Sequence, residues 1–598
     1  MRRSGAREPS RAAAASARLL GYAPAVARQV AALSASRFIA RMFRGDASLW
    51  ATAPSDRRLI RNRLGWLRSP GRMVREAPRL EAFAAEAATE GIRQVVLLGM
   101  GGSSLCVEVF RRVFPPSRGQ PRITVLDSTV PAAVRRVESD IDPARTLFVV
   151  SSKSGTTGET LALQAYFWAK MRRLRGRAAS RHFVAITDPG TPLSAEASAR
   201  GYRATFHNAP DIGGRYSALS YFGLLPAALG GVDIAALLGS AIRMLERCGP
   251  SAAVADNPGL TLGAVLGVLA RRGRDKVVLG VDPQLRPLGL WIEQLLAEST
   301  GKNGRGLVPV DAPPAAAVSR SGLAEPDGVA VVMTIEGGRA TRPRARRAGT
   351  KTPTIVMPLR DRFDLGGAMV QWEIATAVAG AVLGVNPFDE PNVAEGKKNT
   401  AAALEEYDAT GRLGEEEPGL VEGRARVFLG GVRPSSRRPA RLSAVLEAFL
   451  KARRRGDYVA VLAYVDPENA SLRAALERLR SRLHSITGRA VTIGYGPRYL
   501  HSTGQLHKGG PNRGLFIAIV PDDGTVLPIP GKPYDFETLK QAQALGDYRS
   551  LKRRGRRILR LRSADGAAGA LRALAAALRA LPTSSRAPVR RRVLRRRS

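Results

Sequence analysis

The sequence is poor in cysteine, histidine, aromatic residues and acidic residues. Two cysteines in 598 residues exclude a disulfide framework of the kind that stabilises small secreted proteins. No group of Cys and His residues has the spacing of zinc ligands, so the sequence gives no reason to expect a structural metal. The low cysteine content favours a reducing compartment, and we expect the protein to be cytoplasmic.

No apolar run is long and clean enough to predict a membrane span, which needs about 18 or more apolar residues. The nearest candidate, residues 222–242, is interrupted by Pro226, Asp233 and several glycines. Apolar residues make up 44% of the chain and charged residues 24%. This composition is typical of a globular protein and excludes a wholly disordered or fibrous chain. We therefore expect no membrane partner.

The charge balance is the most unusual property of the sequence. The chain has 93 basic and 51 acidic residues, which gives a net charge of +42 and could indicate a nucleic-acid-binding protein. Aromatic residues make up only 6%, and they do not alternate with arginine as base-stacking motifs do. Nucleic acid is therefore not expected as the primary partner, but so positive a field favours anionic ligands.

Short apolar segments alternate with helical segments over most of the chain. Continuous apolar strands separated by helices indicate parallel sheets that are covered on both faces. The predicted fold class is therefore α/β, with two doubly wound parallel-sheet domains and an additional, smaller α/β C-terminal region. The predicted strands are 95–100, 123–127, 146–152, 183–187, 277–281, 329–335, 353–357, 458–466, 491–496 and 515–520.

The same pattern predicts five segments along the chain. They are a basic N-terminal and helical arm at 1–75, a first α/β domain at 76–245, a second α/β domain at 246–400, a linker and C-terminal α/β region at 401–565, and a basic Ala/Arg-rich tail at 566–598. Within the arm, Trp50 and Trp66 are predicted anchors. The polar, acidic stretch 401–425 is predicted to be the linker, and 366–384 to be a long helix.

A hydroxyl-rich turn follows one of the predicted strands. The segment SSKSGTTGET, residues 151–160, lies between an apolar strand and a helix. Helix N-terminal amides, a glycine and hydroxyl groups together suit a phosphoryl group, although the spacing is not that of a nucleotide P-loop. An ordinary helix cap would need fewer hydroxyls, so we predict a phosphate site. Its candidate ligands are Ser152, Lys153, Ser154, Thr157 and Thr160.

Two glycine turns provide further candidate residues. GMGGSS, residues 99–104, follows a strand that we expect to lie near the phosphate loop, which makes Gly102 and Ser103 candidate ligands. In DIGGRYS, residues 211–217, two glycines including Gly214 precede Arg215. A lone arginine more often forms a surface salt bridge, but a planar guanidinium framed by such glycines is suited to an oxyanion.

Three motifs together resemble those of the phosphoglucose isomerase family: SSKSGTTGET, DIGGRYS, and ESTGK at 298–302. The resemblance covers about residues 45–565. It is closest to the isomerase half of bifunctional transaldolase–isomerase proteins, and residues 46–67 are similar to the segment that follows the transaldolase half there. No transaldolase half precedes them in this sequence, so transaldolase activity is not implied.

The resemblance implies two sugar-isomerase (SIS) domains and an enzyme that interconverts glucose 6-phosphate and fructose 6-phosphate in glycolysis and gluconeogenesis. It also implies a homodimer that uses neither a metal nor another cofactor. The reaction moves a proton between C2 and C1 through a cis-enediolate, which requires a base, a cation beside the oxyanion, a ring-opening group and a phosphate anchor.

By the same resemblance, Glu298 is the base and Arg215 stabilises the enediolate. The segment NPFDEPNVAEGKKN, residues 386–399, resembles the family segment that supplies a lysine near the ring oxygen. Its alignment implies Lys397 for that role, with Lys398 as the alternative. The family often has glutamine where this chain has Glu390.

The position of the ring-opening histidine is less direct. The chain has five histidines, and none lies between Glu298 and Asn386, where many family members have it. The later segment HSTGQLHKGGPNRG, residues 501–514, resembles the family stretch around this histidine. That resemblance implies His507, with His501 as the alternative, and a third region that closes the active site in a rearranged chain order.

A sugar-phosphate-binding regulator that uses the same SIS domains without catalysis is the alternative function. Such a protein would keep the phosphate loop but would have no need of Glu298 and Arg215. Both residues are present, so the enzyme is favoured.

Overall fold

The computed structural model describes residues 17–116, 119–311, 327–336, 352–432 and 441–583. In these ranges the helices are α1 Ala23–Ala35, α2 Phe38–Phe43, α3 Pro54–Arg61, α4 Ser69–Thr89, α5 Leu105–Val113, α6 Pro131–Asp140, α7 Gly158–Arg175, α8 Pro192–Arg200, α9 Tyr221–Leu229, α10 Ile234–Cys248, α11 Pro258–Arg271, α12 Leu288–Thr300, α13 Leu365–Leu383, α14 Val393–Thr410, α15 Leu442–Lys451, α16 Ala470–Thr487, α17 Gly504–Gly509, α18 Phe536–Arg553 and α19 Gly566–Arg579. The strands are β1 Ala17–Arg18, β2 Gln94–Gly99, β3 Arg122–Leu126, β4 Thr146–Ser151, β5 Phe183–Thr187, β6 Ala204–His207, β7 Lys276–Val281, β8 Val308–Asp311, β9 Gly328–Ile335, β10 Thr354–Leu359, β11 Leu420–Glu422, β12 Ala425–Gly430, β13 Tyr458–Ala463, β14 Val491–Tyr495, β15 Gly514–Pro521 and β16 Arg557–Ser563.

The strands form three sheets whose parallel parts share one topology. The first sheet is ordered β3-β2-β4-β5-β6 and is parallel throughout. The second is ordered β8-β7-β9-β10, with β1 antiparallel to β10. The third is ordered β14-β13-β15-β16, followed by the antiparallel strands β12 and β11. In each sheet the strand order reverses beside its first parallel strand, and ligands of such sheets bind in the crevice at this point.

Hydrophobic packing on both faces explains why the central strands are uniformly apolar. In β2, Val95 packs into one hydrophobic cluster, whereas its neighbour Val96 packs into another on the opposite face. The second cluster also contains Phe536 from the third region. A further cluster joins Val278 of the second sheet to Phe516 of the third. The third region therefore packs against both other sheets, and the predicted α/β fold class is confirmed.

The longest apolar helix belongs to this core. The segment Arg362–Leu383 is long and apolar enough to cross a membrane, but 94% of its apolar window is buried inside the protein. Its helix α13 packs against α10, α11 and α12. The two predicted anchors of the N-terminal arm are also in place: Trp66 stacks on Tyr216, and the indole NH of Trp50 donates to the carbonyl of Ala377.

The structure corrects three details near the C-terminal region. The predicted linker at 401–425 begins inside helix α14, which ends at Thr410, and β11 follows from Leu420. The predicted tail at 566–598 begins with α19, whose Leu574 is buried against the third sheet; residues 584–598 lie outside the described ranges. Strand β16 was not predicted because its apolar residues alternate with arginines, of which Arg560 is buried and paired with Glu415.

Candidate active site

The candidate site lies at the carboxyl ends of β2 and β4. These strands are hydrogen-bonded neighbours, with Gly99 opposite Ser151, so the turns that follow them are adjacent, as the sequence predicts. This is also the point at which the strand order of the first sheet reverses, where a ligand crevice is expected. The turns are GMGGSS and SSKSGTTGET, and the second leads into α7.

The predicted phosphate loop holds its hydroxyl groups in pairs. The Ser152 and Thr157 hydroxyls are 3.0 Å apart, and those of Ser154 and Thr156 are 2.9 Å apart. Thr157 directly precedes α7, whose first amide groups have no carbonyl partner within the helix. Thr160 is fully buried and its hydroxyl has no hydrogen-bond partner among the described residues. Within the loop, the side chains of Ser154 and Thr156 are exposed and that of Thr157 is half-buried.

Lys153 differs from the expectation that its charge is directed at a ligand. Its ammonium group is paired with the Asp188 carboxylate, and it also donates to the carbonyl oxygen of Pro210 at 3.2 Å. Burial raises the pKa of Asp188, while the lysine beside it opposes that shift. In this structure Lys153 thus joins the phosphate loop to the chain before DIGGRYS.

Close backbone packing explains the glycines of the two turns. A methyl group on Gly102 would lie 2.1 Å from the carbonyl oxygen of Gly214, which no side chain could tolerate. Gly101 has a φ of +56°, and a methyl group there would lie 2.9 Å from the carbonyl oxygen of His501. The GMGGSS turn is therefore fitted against both DIGGRYS and the third region.

The Arg215 guanidinium is buried and fully engaged by protein groups. It donates to the Ser299 hydroxyl at 2.7 Å and to the Pro387 and Asp389 carbonyl oxygens at 2.7 and 2.9 Å. It also pairs with the Glu390 carboxylate at 2.9 Å and the Glu298 carboxylate at 3.3 Å. One side chain thus joins DIGGRYS, ESTGK and the segment from 386 onward.

Glu298 combines burial with a neighbouring positive charge. Its side chain is 12% exposed, and burial raises its pKa above the ordinary value. The nearby Glu390 carboxylate acts in the same direction, whereas Arg215 opposes the shift. The amide nitrogen of Gln294 donates to Glu298 at 3.1 Å. A carboxylate held in this way, with a raised pKa, suits a general base.

A lysine that the sequence analysis did not single out supports this arrangement. Lys302, the last residue of ESTGK, donates to the Asn386 carbonyl oxygen at 2.7 Å and pairs with Asp389. Burial lowers the pKa of Lys302 to about 8. Its contacts hold the loop before Glu390 against the end of α12.

The third region brings His501 to the site. The amide nitrogen of Gln294 bridges Glu298 and the backbone carbonyl oxygen of His501, to which it donates at 2.7 Å. The His501 Nε2 atom lies 2.8 Å from Glu159 Oε1. Burial alone would raise the pKa of Glu159, but its ion pair and hydrogen bond with His501 hold that pKa below the ordinary value.

Lys397 lies beside this pair. It lines a cavity of about 30 Å³ together with Glu159 and His501, and Lys508 lies in the same wall. Its charge also contributes to lowering the pKa of Glu159. Lys397 and the neighbouring Lys398 are both exposed, but Lys398 is not among the residues that line this cavity.

Comparisons with known proteins agree with the motifs. The phosphoglucose isomerase family model matches residues 79–310. A glucose-6-phosphate isomerase from Rubrobacter xylanophilus is 30% identical over 383 residues, which covers 56% of this chain and 88% of the relative. The chain belongs to the phosphoglucose isomerase family.

Two further comparisons concern another named relative and a solved structure of similar fold. A glucose-6-phosphate isomerase from Carboxydothermus hydrogenoformans is 29% identical over 409 residues, covering 59% of this chain and 86% of the relative. A solved structure of a hypothetical protein from Thermus thermophilus has a TM-score of 0.54 and 27% identity, and the match covers 65% of this chain and all of that one. The likeness to bifunctional transaldolase–isomerase proteins stays a prediction.

Within this isomerase family site, the two candidate histidines have different surroundings. His507 is 3% exposed, and its ring packs 4.9 Å from that of Phe516 and 6.0 Å from that of Tyr499. Burial lowers the pKa of His507 to about 3, and its Nδ1 atom has no partner among the described residues. The geometry therefore favours the alternative, His501, which is paired with Glu159. His507 has the surroundings of a core residue.

Sequence reasoning missed Glu159, Gln294 and Lys302 as site residues. Glu159 lies inside the recognised motif SSKSGTTGET, and Lys302 is the last residue of ESTGK. Each is a charged residue within a recognised motif, and that position could have identified it as a site residue. Gln294 lies one helical turn before Glu298, and that spacing places both on one face of α12. Only the contacts with His501 show that this face is used.

We expect removal of the paired hydroxyls to weaken anion binding. Ser152→Ala combined with Thr157→Ala should reduce affinity for inorganic phosphate at least tenfold, because each hydrogen bond to a charged group contributes about 1.5–3 kcal/mol. Isothermal titration calorimetry measures this directly. Thr89→Ala is a matched control, since the Thr89 hydroxyl donates within α4. Unchanged phosphate affinity in the double variant would refute the phosphate loop.

Proposed function

We propose that this chain is a glucose-6-phosphate isomerase that interconverts glucose 6-phosphate and fructose 6-phosphate. The observation that carries the proposal is the buried pair of Glu298 and Arg215, with 3.3 Å between carboxylate and guanidinium. A base and a fixed cation side by side are what an enediolate mechanism needs. The names of the related isomerases support the same conclusion.

The proton transfer follows from the properties of these two groups. Glu298 removes the C2 proton of the open-chain aldose, and the electron pair moves through the forming C1–C2 double bond onto the C1 oxygen. Arg215 stabilises this oxyanion without a change of its own protonation. The O2 proton passes to O1, and Glu298 returns its proton to C1, which leaves the ketose carbonyl at C2.

Ring opening precedes this step for a cyclic substrate. We assign it to His501, because the Glu159 carboxylate fixes its imidazole and an imidazole can accept and donate protons near neutral pH. It would take the proton of the O1 hydroxyl, while Lys397 would donate a proton to the ring oxygen as the C1–O5 bond breaks and would recover it afterwards from His501 through solvent. Lys397 lines the same cavity, which supports the role that the family resemblance implies for it.

The remaining contacts of the substrate are assigned by position. Ser152, Ser154 and Thr157 are proposed to bind the 6-phosphate at the start of α7, with Thr160 and Lys153 supporting the loop. Gly102, Ser103 and Gly214 form the adjoining wall, where the backbone would contact the sugar. The two α/β segments at 76–245 and 246–400 would provide this site together, and a cytoplasmic homodimer is the proposed form of the enzyme.

The alternative of a sugar-phosphate-binding regulator is less well supported. A regulator would need the phosphate loop alone. Burying a carboxylate and a guanidinium side by side costs desolvation free energy, and a protein that only binds the sugar phosphate has no need of this pair. The relatives that match this chain carry the names of enzymes.

Loss of the base is the direct test of the reaction. Glu298→Gln keeps the shape of the side chain but cannot accept the proton, so kcat for fructose 6-phosphate should fall by about 10²–10⁴-fold or more. A coupled assay measures turnover, and calorimetry should show that fructose 6-phosphate still binds. Glu405→Gln, on an exposed part of α14, is the control. A Glu298→Gln enzyme with normal kcat would contradict the assignment.

The pH dependence of kcat/KM should change when the charged groups that face Glu298 are changed. The base works only when ionised, so kcat/KM should be lost as pH falls through its raised pKa. The groups facing it are Arg215, Gln294, Glu390 and His501. Glu390→Gln removes a negative neighbour, which makes ionisation easier and should move the acid limb of kcat/KM to lower pH.

This shift is measured from the acid limb in wild type and variant at constant ionic strength. Glu405→Gln should leave the limb in place. An acid limb that stays fixed, or that moves to higher pH, in Glu390→Gln would show that Glu390 does not act on the base as proposed.

The two histidine assignments are separated by a substrate that cannot form a ring. Erythrose 4-phosphate is such a substrate, because its terminal oxygen is occupied by the phosphoryl group. His501→Ala should slow turnover of glucose 6-phosphate by about 10²-fold or more, but should largely preserve exchange of the C2 proton of erythrose 4-phosphate with deuterium oxide, observed by proton NMR.

His507→Ala should show no such difference between substrates, because its ring lies in the core and its loss should lower the melting temperature instead. If His507→Ala selectively slowed the cyclic substrate and His501→Ala did not, the assignment would be reversed.

A further inference from the structure

Helix α18 of the third region forms one wall of the cavity beside His501. Two of its side chains, Gln543 and Asp547, line this cavity together with Glu159 and Lys397. They lie four residues apart, so they project from the same face of the helix. Both lie outside residues 79–310, the part of the chain that matches the family model.

The side-chain amide of Gln543 has a partner at each end. Its Nε2 atom donates to Glu159 Oε1 at 2.7 Å, and its Oε1 atom accepts from the Thr129 hydroxyl at 2.7 Å. Gln543 is 3% exposed and Thr129 is fully buried, so water does not compete for these bonds. The chain of contacts runs from the first sheet through the third region and back to the phosphate loop helix.

The orientation of this amide is fixed by the chemistry of its partners. An ionised carboxylate only accepts hydrogen bonds, so the NH₂ group must face Glu159. The amide oxygen must then face Thr129, whose hydroxyl can donate to it. Glu159 Oε1 also lies 2.8 Å from His501 Nε2. Two donors therefore converge on one carboxylate oxygen.

This convergence matters because Glu159 is 8% exposed, and a buried carboxylate stays ionised only when it is well hydrogen-bonded. The side chains of His501 and Lys397 act to lower its pKa, and Lys508 and Asp547 are the other charged residues that line the same cavity. Without Gln543 the carboxylate would keep His501 as its partner but would lose the second donor that fixes the position of Oε1. The imidazole would then be held less well.

We propose that Gln543 is a positioning residue for ring opening, which holds the Glu159 carboxylate against His501 through a hydrogen-bond chain that begins at Thr129. This inference rests on the proposed function. It gives the third region a part in the reaction beyond covering the other two sheets.

Three substitutions test the chain of contacts. Gln543→Ala removes both bonds, Thr129→Val removes the donor that orients the amide, and Gln543→Glu places a second carboxylate beside Glu159. Gln541→Ala is the matched control, because Gln541 is equally buried on the same helix but donates to Asp522 and Glu537, away from the site. Each enzyme is assayed with glucose 6-phosphate and with erythrose 4-phosphate.

We expect Gln543→Ala to lower kcat for glucose 6-phosphate about tenfold or more. This is the effect expected from the loss of one hydrogen bond to a charged group. Exchange of the C2 proton of erythrose 4-phosphate should change less than twofold. Thr129→Val should show the same selectivity with a smaller loss. In Gln543→Glu the two adjacent carboxylates would share a proton, so the acid limb of kcat for glucose 6-phosphate should move up by about one pH unit or more.

The outcomes separate this inference from the proposed function. Equal losses on both substrates, a Gln541→Ala enzyme with the same selectivity, or an unmoved acid limb in Gln543→Glu would overturn the positioning role while wild-type activity stands. A wild-type protein that does not isomerise fructose 6-phosphate would overturn the proposed function, and the inference with it.

Discussion

The buried guanidinium of Arg215 is the contact on which the candidate site depends. It bonds the Ser299 hydroxyl, the Pro387 and Asp389 carbonyl oxygens and two carboxylates. Removing a group of this kind would leave several buried acceptors without a donor, each at a cost of about 1–3 kcal/mol. The three segments that the sequence keeps far apart are therefore fixed relative to one another by a side chain that cannot lose its charge.

Burial and neighbouring positive charges have opposite effects on the pKa values of the carboxylates in the candidate site. Burial raises the pKa of Glu298 although a guanidinium lies beside it. Around Glu159 the balance is reversed, because the contacts with His501 outweigh burial and hold its pKa down. The two carboxylates of the candidate site therefore differ in the direction of their pKa shifts, which agrees with the different tasks proposed for them.

The third region completes the site by packing across the carboxyl ends of the first sheet. Its segment from 498 onward is anchored by the buried pair of Arg498 with Asp127, which lies just after β3. A second close contact lies between Gly301 and Leu506. The backbone of Leu506 leaves no room for a methyl group on Gly301. These contacts place His501 next to Gln294 and Glu159 although the histidine follows both far along the chain.

The sequence by itself determined the parallel sheets, the hydroxyl-rich turn after β4 and the Arg215 turn, because each is encoded locally. Apolar strands, glycine turns and hydroxyl clusters have the same meaning wherever they occur, and the predicted strands are present. It could not determine β16, whose arginines are buried through partners elsewhere in the chain. The tertiary structure alone distinguished His501 from His507. The two lie six residues apart in one motif, and the difference between them is burial against Phe516 for one and a carboxylate partner for the other. Such partners come from distant segments of the chain, so no local sequence pattern predicts them.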